Sequence, residues 1–165
     1  MAQMHVDSAN ELKGTSFEER WQWVEQCKDQ GNVEYKKQNF AEAMDKYIKS
    51  LCGLEFGKDA TEDQKREVDA QLKIPILNNL AICLIQLKRY PQALQMTDQV
   101  LRIDPLNEKA LMRRSTALVE FTEFDKAEKV IAQLEEQLSI SKNEQVLREH
   151  ITKTKARIAK FTAAQ

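Results

Sequence analysis

Five polar or cationic residues have the types and spacing that could bind a carboxylate. Lys28 and Asn32 are four residues apart, as are Lys109 and Arg113, so each pair shares one face of a helix. Asn79 stands at the matching position of a segment between the two pairs. Lysine, arginine and amide groups donate hydrogen bonds to carboxylates, and such charge-assisted bonds are the strong kind. The five residues therefore predict a binding site for an acidic ligand.

Motifs for catalysis are not found in the sequence. It has no P-loop, no glycine-rich dinucleotide turn, no Gly-x-Ser-x-Gly and no His-Glu-x-x-His. Acidic pairs such as Glu18-Glu19 and Glu135-Glu136 fall on expected helix surfaces, where nearby lysines can pair with them. His150 lies among lysines and arginines, and we expect it to be exposed. We therefore expect no enzyme activity, no catalytic residue, no cofactor and no metal site.

An internal repeat organises the chain that carries these residues. The pattern aromatic-x-x-Ala begins at Phe40, Tyr90 and Phe124. The last two copies are 124 − 90 = 34 residues apart, and the first two are 90 − 40 = 50 apart, which is 34 plus an insertion of 16. Thirty-four residues is the period of the tetratricopeptide helix–turn–helix repeat. Small residues stand where the two helices of each repeat must approach closely: Gly31, Ala81 and Ser115.

The repeat register predicts an all-α fold of about seven helices. Three tetratricopeptide repeats are followed by a C-terminal capping helix, in a right-handed α-solenoid whose first helices line a concave groove. The domains are a flexible segment at 1–15, a repeat domain at 16–140 and the capping helix at 141–165. We place the repeats at about 24–57, 74–107 and 108–140, with an insertion at about 58–73. We expect the insertion mainly in Gly57-Lys58-Asp59-Ala60 and in lengthened flanking helices. The expected helices are about 16–38, 41–56, 62–88, 91–102, 107–120, 124–137 and 141–162.

Local signals support these helix boundaries. Capping boxes are expected at Ser16, Thr61 and Ser141, each followed three residues later by Glu or Gln. The last helix carries one apolar stripe that can cover the open end of the third repeat, formed by Leu147, Ile151, Ile158 and Phe161. Two positions depart from the repeat pattern: Thr97 replaces a large apolar residue, and Ser139 stands where proline is usual.

The composition excludes several classes of protein. The 165 residues carry 25 Lys and Arg against 26 Asp and Glu, with only four Gly and three Pro. Because positive and negative charges nearly cancel, the chain has no overall positive potential that would attract nucleic acid or an anionic membrane, so we expect neither as a partner. Three separated cysteines are interpreted as packing thiols in a reducing compartment: Cys27, Cys52 and Cys83. With no signal peptide, and with 74–87 as the longest uncharged run, a cytoplasmic protein is expected.

The five polar residues in this register resemble the two-carboxylate clamp of tetratricopeptide co-chaperones. The resemblance covers roughly residues 24–141, and all five clamp positions match. It implies a non-enzymatic interaction module that binds the C-terminal Glu-Glu-Val-Asp of heat-shock protein 90 and/or 70. By this resemblance, Arg113 binds an acidic side chain or carbonyl further along the peptide. The remaining four hold its terminal carboxylates: Lys28, Asn32, Asn79 and Lys109.

Two alternatives remain open. The long insertion and the run Leu77-Asn78-Asn79-Leu80-Ala81-Ile82-Cys83 are similar to the repeat domains of immunophilin-type peptidyl-prolyl isomerases, so the chain could be a fragment of such an enzyme. Residues 1–15 are too few for an isomerase domain. The segment 141–165 has six basic residues against two acidic ones, and a basic amphipathic helix of this kind can bind calmodulin.

Overall fold

The computed structural model describes residues 2–56 and 60–165, and these residues form helices and connecting turns. A π-helical segment, Asp69–Lys73, joins two α-helical segments, Glu62–Val68 and Ile74–Gln86, so that Glu62–Gln86 is one continuous helix. The all-α prediction is confirmed, although the described residues form eight continuous helices rather than seven. The α-helical segments are α1 (Ala2–Glu11), α2 (Phe17–Lys36), α3 (Phe40–Cys52), α4 (Glu62–Val68), α5 (Ile74–Gln86), α6 (Tyr90–Ile103), α7 (Glu108–Glu120), α8 (Phe124–Gln137) and α9 (Glu144–Ala163).

The additional helix is α1, which lies in the N-terminal segment that we expected to be flexible. Its last residue, Glu11, accepts hydrogen bonds from Trp23 Nε1 at 3.0 Å and from Lys49 Nζ at 3.3 Å. Leu12 is buried, and its carbonyl accepts a hydrogen bond from Arg20 at 3.1 Å. These contacts attach the end of α1 to α2 and α3. No helix was predicted for residues 2–11 because their sequence is polar and has no apolar stripe, and the flexibility of 1–15 stays a prediction.

Helix starts follow the predicted capping boxes at two of three places. At Ser16 and Thr61 the side chain accepts from the backbone three residues later, and Glu19 or Gln64 returns a bond to the cap. The prediction for Ser141 was wrong, because α9 begins after Asn143 and has no side-chain cap. The Ser141 hydroxyl instead accepts from the backbone N–H of Asn143 at 3.0 Å, which is a turn before the helix.

Pro75 accounts for the π-helical segment that precedes α5. Proline has no N–H to donate, and its ring clashes with the carbonyl four residues earlier. The backbone widens by one residue over Asp69–Lys73, where the N–H of Ile74 donates to the carbonyl of Asp69, five residues back. This widening lets the helix continue into α5, which carries Asn79. Residues 57–59 of the loop in which most of the insertion was predicted lie outside the described residues, and the rest of the predicted insertion, to about residue 73, contains α4 and the π-helical segment.

The helix Glu62–Gln86 is also the one described helix that is long and apolar enough to cross a membrane. Of its most apolar 18-residue window, 56% is buried inside the protein. Its α5 part holds eight buried residues, including Ile76, Leu77 and Leu80. Such burial is the behaviour of a core helix, as predicted for 74–87.

The chain divides into two compact units, residues Met1–Leu87 and Lys88–Gln165. In the first unit, α3 packs between α2 and α5. In the second unit, α7 packs against α6, α8 and α9. Three residues of the predicted apolar stripe of α9 are buried there, Leu147, Ile151 and Ile158, and the half-buried Phe161 contacts the ring of Phe124, with ring centroids 5.7 Å apart.

Three turns repeat the same backbone conformation. Gln38, Lys88 and Thr122 have positive φ angles of 63°, 58° and 60°, and each lies two residues before a helix that begins with an aromatic residue. Their spacings are 88 − 38 = 50 and 122 − 88 = 34, which are the spacings of the aromatic-x-x-Ala pattern. The repeat register predicted from the sequence is therefore present in the backbone.

Candidate functional site

The first unit holds three of the five predicted ligand-binding residues. Helices α2 and α5 bring Asn32 and Asn79 into contact, and Asn79 Nδ2 donates to Asn32 Oδ1 at 3.1 Å. Lys28 precedes Asn32 by one helical turn on α2, so its side chain extends along the same face. All three residues are half-buried. The unit therefore places two amides and one ammonium group on neighbouring surfaces of α2 and α5.

A buried tyrosine completes this arrangement. The hydroxyl of Tyr47, on α3, donates to Asn32 Oδ1 at 2.7 Å, and the residue is 1% exposed. Burial raises the pKa of Tyr47 far above its usual value, and hydrogen bonding from Asn79 opposes part of this rise. Tyr47 lies four residues after Ala43 on the buried face of α3, and the role of its hydroxyl was not recognised from the sequence. The sequence did offer an indication of this role, because the hydroxyl of a buried tyrosine needs a hydrogen-bond partner.

The second unit holds the remaining two predicted residues. Lys109 and Arg113 lie one turn apart on α7, with Lys109 exposed and Arg113 half-buried. Arg113 Nη1 lies 3.4 Å from the carbonyl of Lys109, which is a weak hydrogen bond. The helix begins at Asn107, whose side chain accepts from the N–H of Ala110 at 3.0 Å and so fixes the first turn. Two cationic side chains are thus presented together on one face of α7.

Behind Arg113, the second unit contains a polar contact between α7 and α9. His150 Nε2 lies 2.8 Å from the hydroxyl of Ser115, which is fully buried. The prediction that His150 is exposed was wrong, because α9 turns its imidazole toward α7. Burial lowers the pKa of His150, and the positive charges of Arg113 and Lys153 lower it further.

The departure at Thr97 has a structural reason. Its hydroxyl donates to the carbonyl of Leu94 at 2.8 Å and accepts from Arg114 Nη1 at 3.4 Å. Arg114 also forms an ion pair with Asp98. Threonine at this buried position therefore belongs to a polar network between α6 and α7, where an apolar side chain would leave Arg114 with one partner fewer.

The other candidate chemical groups in the described part of the chain have structural contacts. Cys27, Cys52 and Cys83 form no disulfide bond, and burial raises the pKa of Cys27 and of Cys52. No group of three or more His, Cys, Asp or Glu residues that could hold a metal ion occurs among the described residues. The acidic pairs at 18–19 and 135–136 are exposed, as predicted.

Solved structures identify the architecture. The C-terminal TPR-containing domain of an FK506-binding protein of Plasmodium falciparum matches 93% of this chain and 97% of its own, with a TM-score of 0.72 and 25% identity. The TPR domain of OM64 from Arabidopsis matches 81% of this chain and 98% of its own, with a TM-score of 0.58 and 22% identity. The fold is that of a tetratricopeptide repeat domain.

Curated relatives add a sequence relationship to this repeat domain. The peptidyl-prolyl cis-trans isomerase FKBP4 of Rattus norvegicus is 27% identical over 128 residues, and that of Homo sapiens is 26% identical over 128 residues. Each match covers 76% of this chain, and the chain spans 28% of the length of these relatives. No family model matches the chain.

Proposed function

We propose that this repeat domain is a non-enzymatic adaptor that binds the acidic C-terminal peptide of heat-shock protein 90 and/or 70 in the cytoplasm. The binding residues are Lys28, Asn32 and Asn79 of the first unit and Lys109 and Arg113 of the second. The observation that carries the proposal is the contact between Asn32 and Asn79, which places two amides beside Lys28 although they are 47 residues apart in the chain. The relationship to FKBP4 supports a protein-interaction role.

The chemistry of these residues suits a peptide that ends in aspartate. Such a terminus places an α-carboxylate next to a side-chain carboxylate, and several converging donors are needed to match the two charges. The two amides add directional donors without adding to the repulsion among the cations. A ligand of this kind is recognised by its terminal group, because an internal acidic segment has no free α-carboxylate.

Nuclear magnetic resonance tests this proposal residue by residue. A Met-Glu-Glu-Val-Asp peptide is titrated into the ¹⁵N-labelled protein, and the side-chain amide signals of Asn32 and Asn79 are followed. We expect both to shift, and we expect little shift with Met-Glu-Glu-Val-Asp-Gly-Gly, in which the terminal carboxylate is displaced. Equal shifts with the two peptides, or shifts confined to other residues, would contradict the proposal. Titrations with both chaperone tails would show which one is preferred.

A second candidate function is that the chain acts as the repeat region of a longer peptidyl-prolyl isomerase. It is favoured by the FKBP4 relatives, since the chain spans 28% of their length. The native transcript decides this alternative, because an isomerase would require a glycine-rich, β-rich coding sequence upstream. Peptide binding by the repeat domain would be compatible with either outcome.

Calmodulin binding by α9 stays a prediction that the fold does not favour. Leu147, Ile151 and Ile158, which would form the apolar face for calmodulin, are buried in the second unit. The helix would have to leave α7 and α8 before calmodulin could reach it. A gel shift with calcium-loaded calmodulin tests this directly, and no shift is expected while the domain is folded.

A further inference from the structure

We propose that Tyr47 is a positioning residue that makes Asn32 present its amide nitrogen, rather than its oxygen, to the ligand. The inference rests on the proposed function, because it explains how the site distinguishes a carboxylate from a carboxamide. Tyr47 lies on α3, behind the surface formed by α2 and α5, and it is 1% exposed. It therefore acts through Asn32 and not by touching the peptide.

The hydrogen bonds of Asn32 determine which end of its amide is available. A carbonyl oxygen has two lone pairs, and the amide nitrogen has two hydrogens. Asn32 Oδ1 accepts from the Tyr47 hydroxyl at 2.7 Å and from Asn79 Nδ2 at 3.1 Å. Both lone pairs are then used, and only the N–H donors of Asn32 are left for a ligand. Such a group matches a carboxylate, which only accepts hydrogen bonds.

The tyrosine is held in place by the backbone of α2. A Cβ atom added at Gly31 would lie 2.6 Å from Cε1 and 2.8 Å from Cδ1 of the Tyr47 ring, so the ring rests directly on the helix next to Asn32. Because burial raises the pKa of Tyr47, its hydroxyl keeps its proton throughout the neutral and mildly alkaline range. The Tyr47 hydroxyl can therefore donate to Asn32 Oδ1 throughout this pH range.

Removing the hydroxyl of Tyr47 should weaken the discrimination between a carboxylate and a carboxamide. In Tyr47→Phe the ring still fills the space beside Gly31, but Asn32 Oδ1 keeps one donor instead of two. The amide can then rotate and present its oxygen, which repels a carboxylate and accepts from a carboxamide. We expect the ratio of affinities for the free-acid and amidated Met-Glu-Glu-Val-Asp peptides to fall about fivefold, the effect of one neutral hydrogen bond.

Calorimetry with the two peptides tests this expectation. The matched control is Tyr90→Phe, which removes a hydroxyl from α6 in the second unit and should leave the ratio unchanged. An unchanged ratio in Tyr47→Phe would overturn the positioning role. If the unaltered domain binds neither peptide, the proposed function fails, and that failure is recognised before any variant is made.

A measurement without peptide tests the positioning role independently. In the unaltered protein, the side-chain amide of Asn32 should have a higher nuclear magnetic resonance order parameter than that of Asn143, which is exposed and has no side-chain cap bond. The order parameter of Asn32 should fall in Tyr47→Phe. Equal values for Asn32 and Asn143 in the unaltered protein would overturn the inference even if the variant did not fold.

Discussion

The two units support their candidate ligand-binding residues in different ways. In the first unit, Asn32 is held by two hydrogen bonds to its oxygen, and one of the donors is fully buried. In the second unit, Lys109 is exposed, and Arg113 lies one helical turn further along the same face of α7. The first unit thus fixes the direction of its donors, whereas the second presents charge on long side chains.

This difference predicts separate tasks for the two units in the proposed peptide binding. Directional amides can distinguish one acceptor geometry from another, while cations attract any nearby anion and are screened by salt. Selectivity for a terminal carboxylate is therefore expected to depend on the first unit. The strength and salt dependence of binding are expected to depend more on the second.

The largest expected effects are on peptide affinity. Lys28→Ala, Lys109→Ala and Arg113→Ala should each weaken binding of the Met-Glu-Glu-Val-Asp peptide by about 1–3 kcal/mol, because a charged partner is lost. Their losses should shrink at high salt, whereas the loss in Asn32→Ala should persist. Calorimetry at low and high salt measures the loss of affinity in each variant and its dependence on salt. Lys65→Ala is the matched control, since this lysine is exposed on α4 and pairs with Glu62.

The separation of tasks would be contradicted if Asn32→Ala and Arg113→Ala had the same salt dependence. Undiminished binding in Lys28→Ala and Arg113→Ala would contradict the assignment of the site itself.

The contact between the Tyr47 ring and α2, which positions the donor to Asn32, can be disturbed by one substitution in the first unit. In Gly31→Ala the new Cβ meets the buried Tyr47 ring at 2.6 Å, and overpacking of this kind costs about 1–3 kcal/mol of unfolding free energy. Urea unfolding followed by tryptophan fluorescence reports on this unit, because both tryptophans, Trp21 and Trp23, lie in it. The control is Gln30→Ala, at the exposed neighbouring position. A stabilised Gly31→Ala protein would show that the ring is not fixed by α2.

These residues also show what could be predicted from the sequence. The 34-residue period, the small residues at helix crossings and the apolar stripe of α9 are regular patterns, so the fold followed from them. The roles of α1 and Tyr47 could not be predicted in the same way. Each depends on a contact between distant residues, Glu11 with Trp23 and Tyr47 with Asn32, and no local pattern encodes such a pair.

The five candidate ligand-binding residues were found because they occupy repeat positions. The sequence could match Asn32 with Asn79, but it could not show that one amide donates to the other. His150 was misassigned for a related reason: its neighbours in sequence are charged, while its neighbour in space is the buried Ser115. Periodicity predicts which face a residue lies on, and it does not predict which polar atom it meets.

A smaller effect is expected from a turn in the second unit. Thr122 is β-branched and has a φ of 60°, a conformation that costs a non-glycine residue about 1–2 kcal/mol. Thr122→Gly should therefore raise the stability of this unit by about 1 kcal/mol after the greater freedom of glycine in the unfolded chain is included. Hydrogen exchange at Leu118 measures the change.

The matched control for this turn is Thr152→Gly, at an exposed position inside α9, where glycine should lower stability. A loss of stability in both variants would show that the turn carries no strain. Peptide affinity should change in neither variant, because neither position is among the candidate ligand-binding residues.

The smallest effect is expected from the histidine behind Arg113. The pKa of His150 in the folded state lies below its usual 6.5, so the neutral form is favoured by folding. Its contribution to stability is complete above pH 6.5 and is lost as the pH falls through the lowered value. Unfolding free energies of His150→Gln should therefore depend less on pH between about 5 and 7 than those of the unaltered protein. Identical pH profiles would show that His150 is protonated equally in both states.

Calorimetry of the unaltered domain with the free-acid and amidated Met-Glu-Glu-Val-Asp peptides tests the central claim most directly. Because the oriented donors of Asn32 and the ammonium group of Lys28 are available for the terminal carboxylate, we predict that the free acid binds and that amidation weakens binding at least about tenfold, the loss of a charge-assisted contact. Equal affinity for the two peptides would contradict the account.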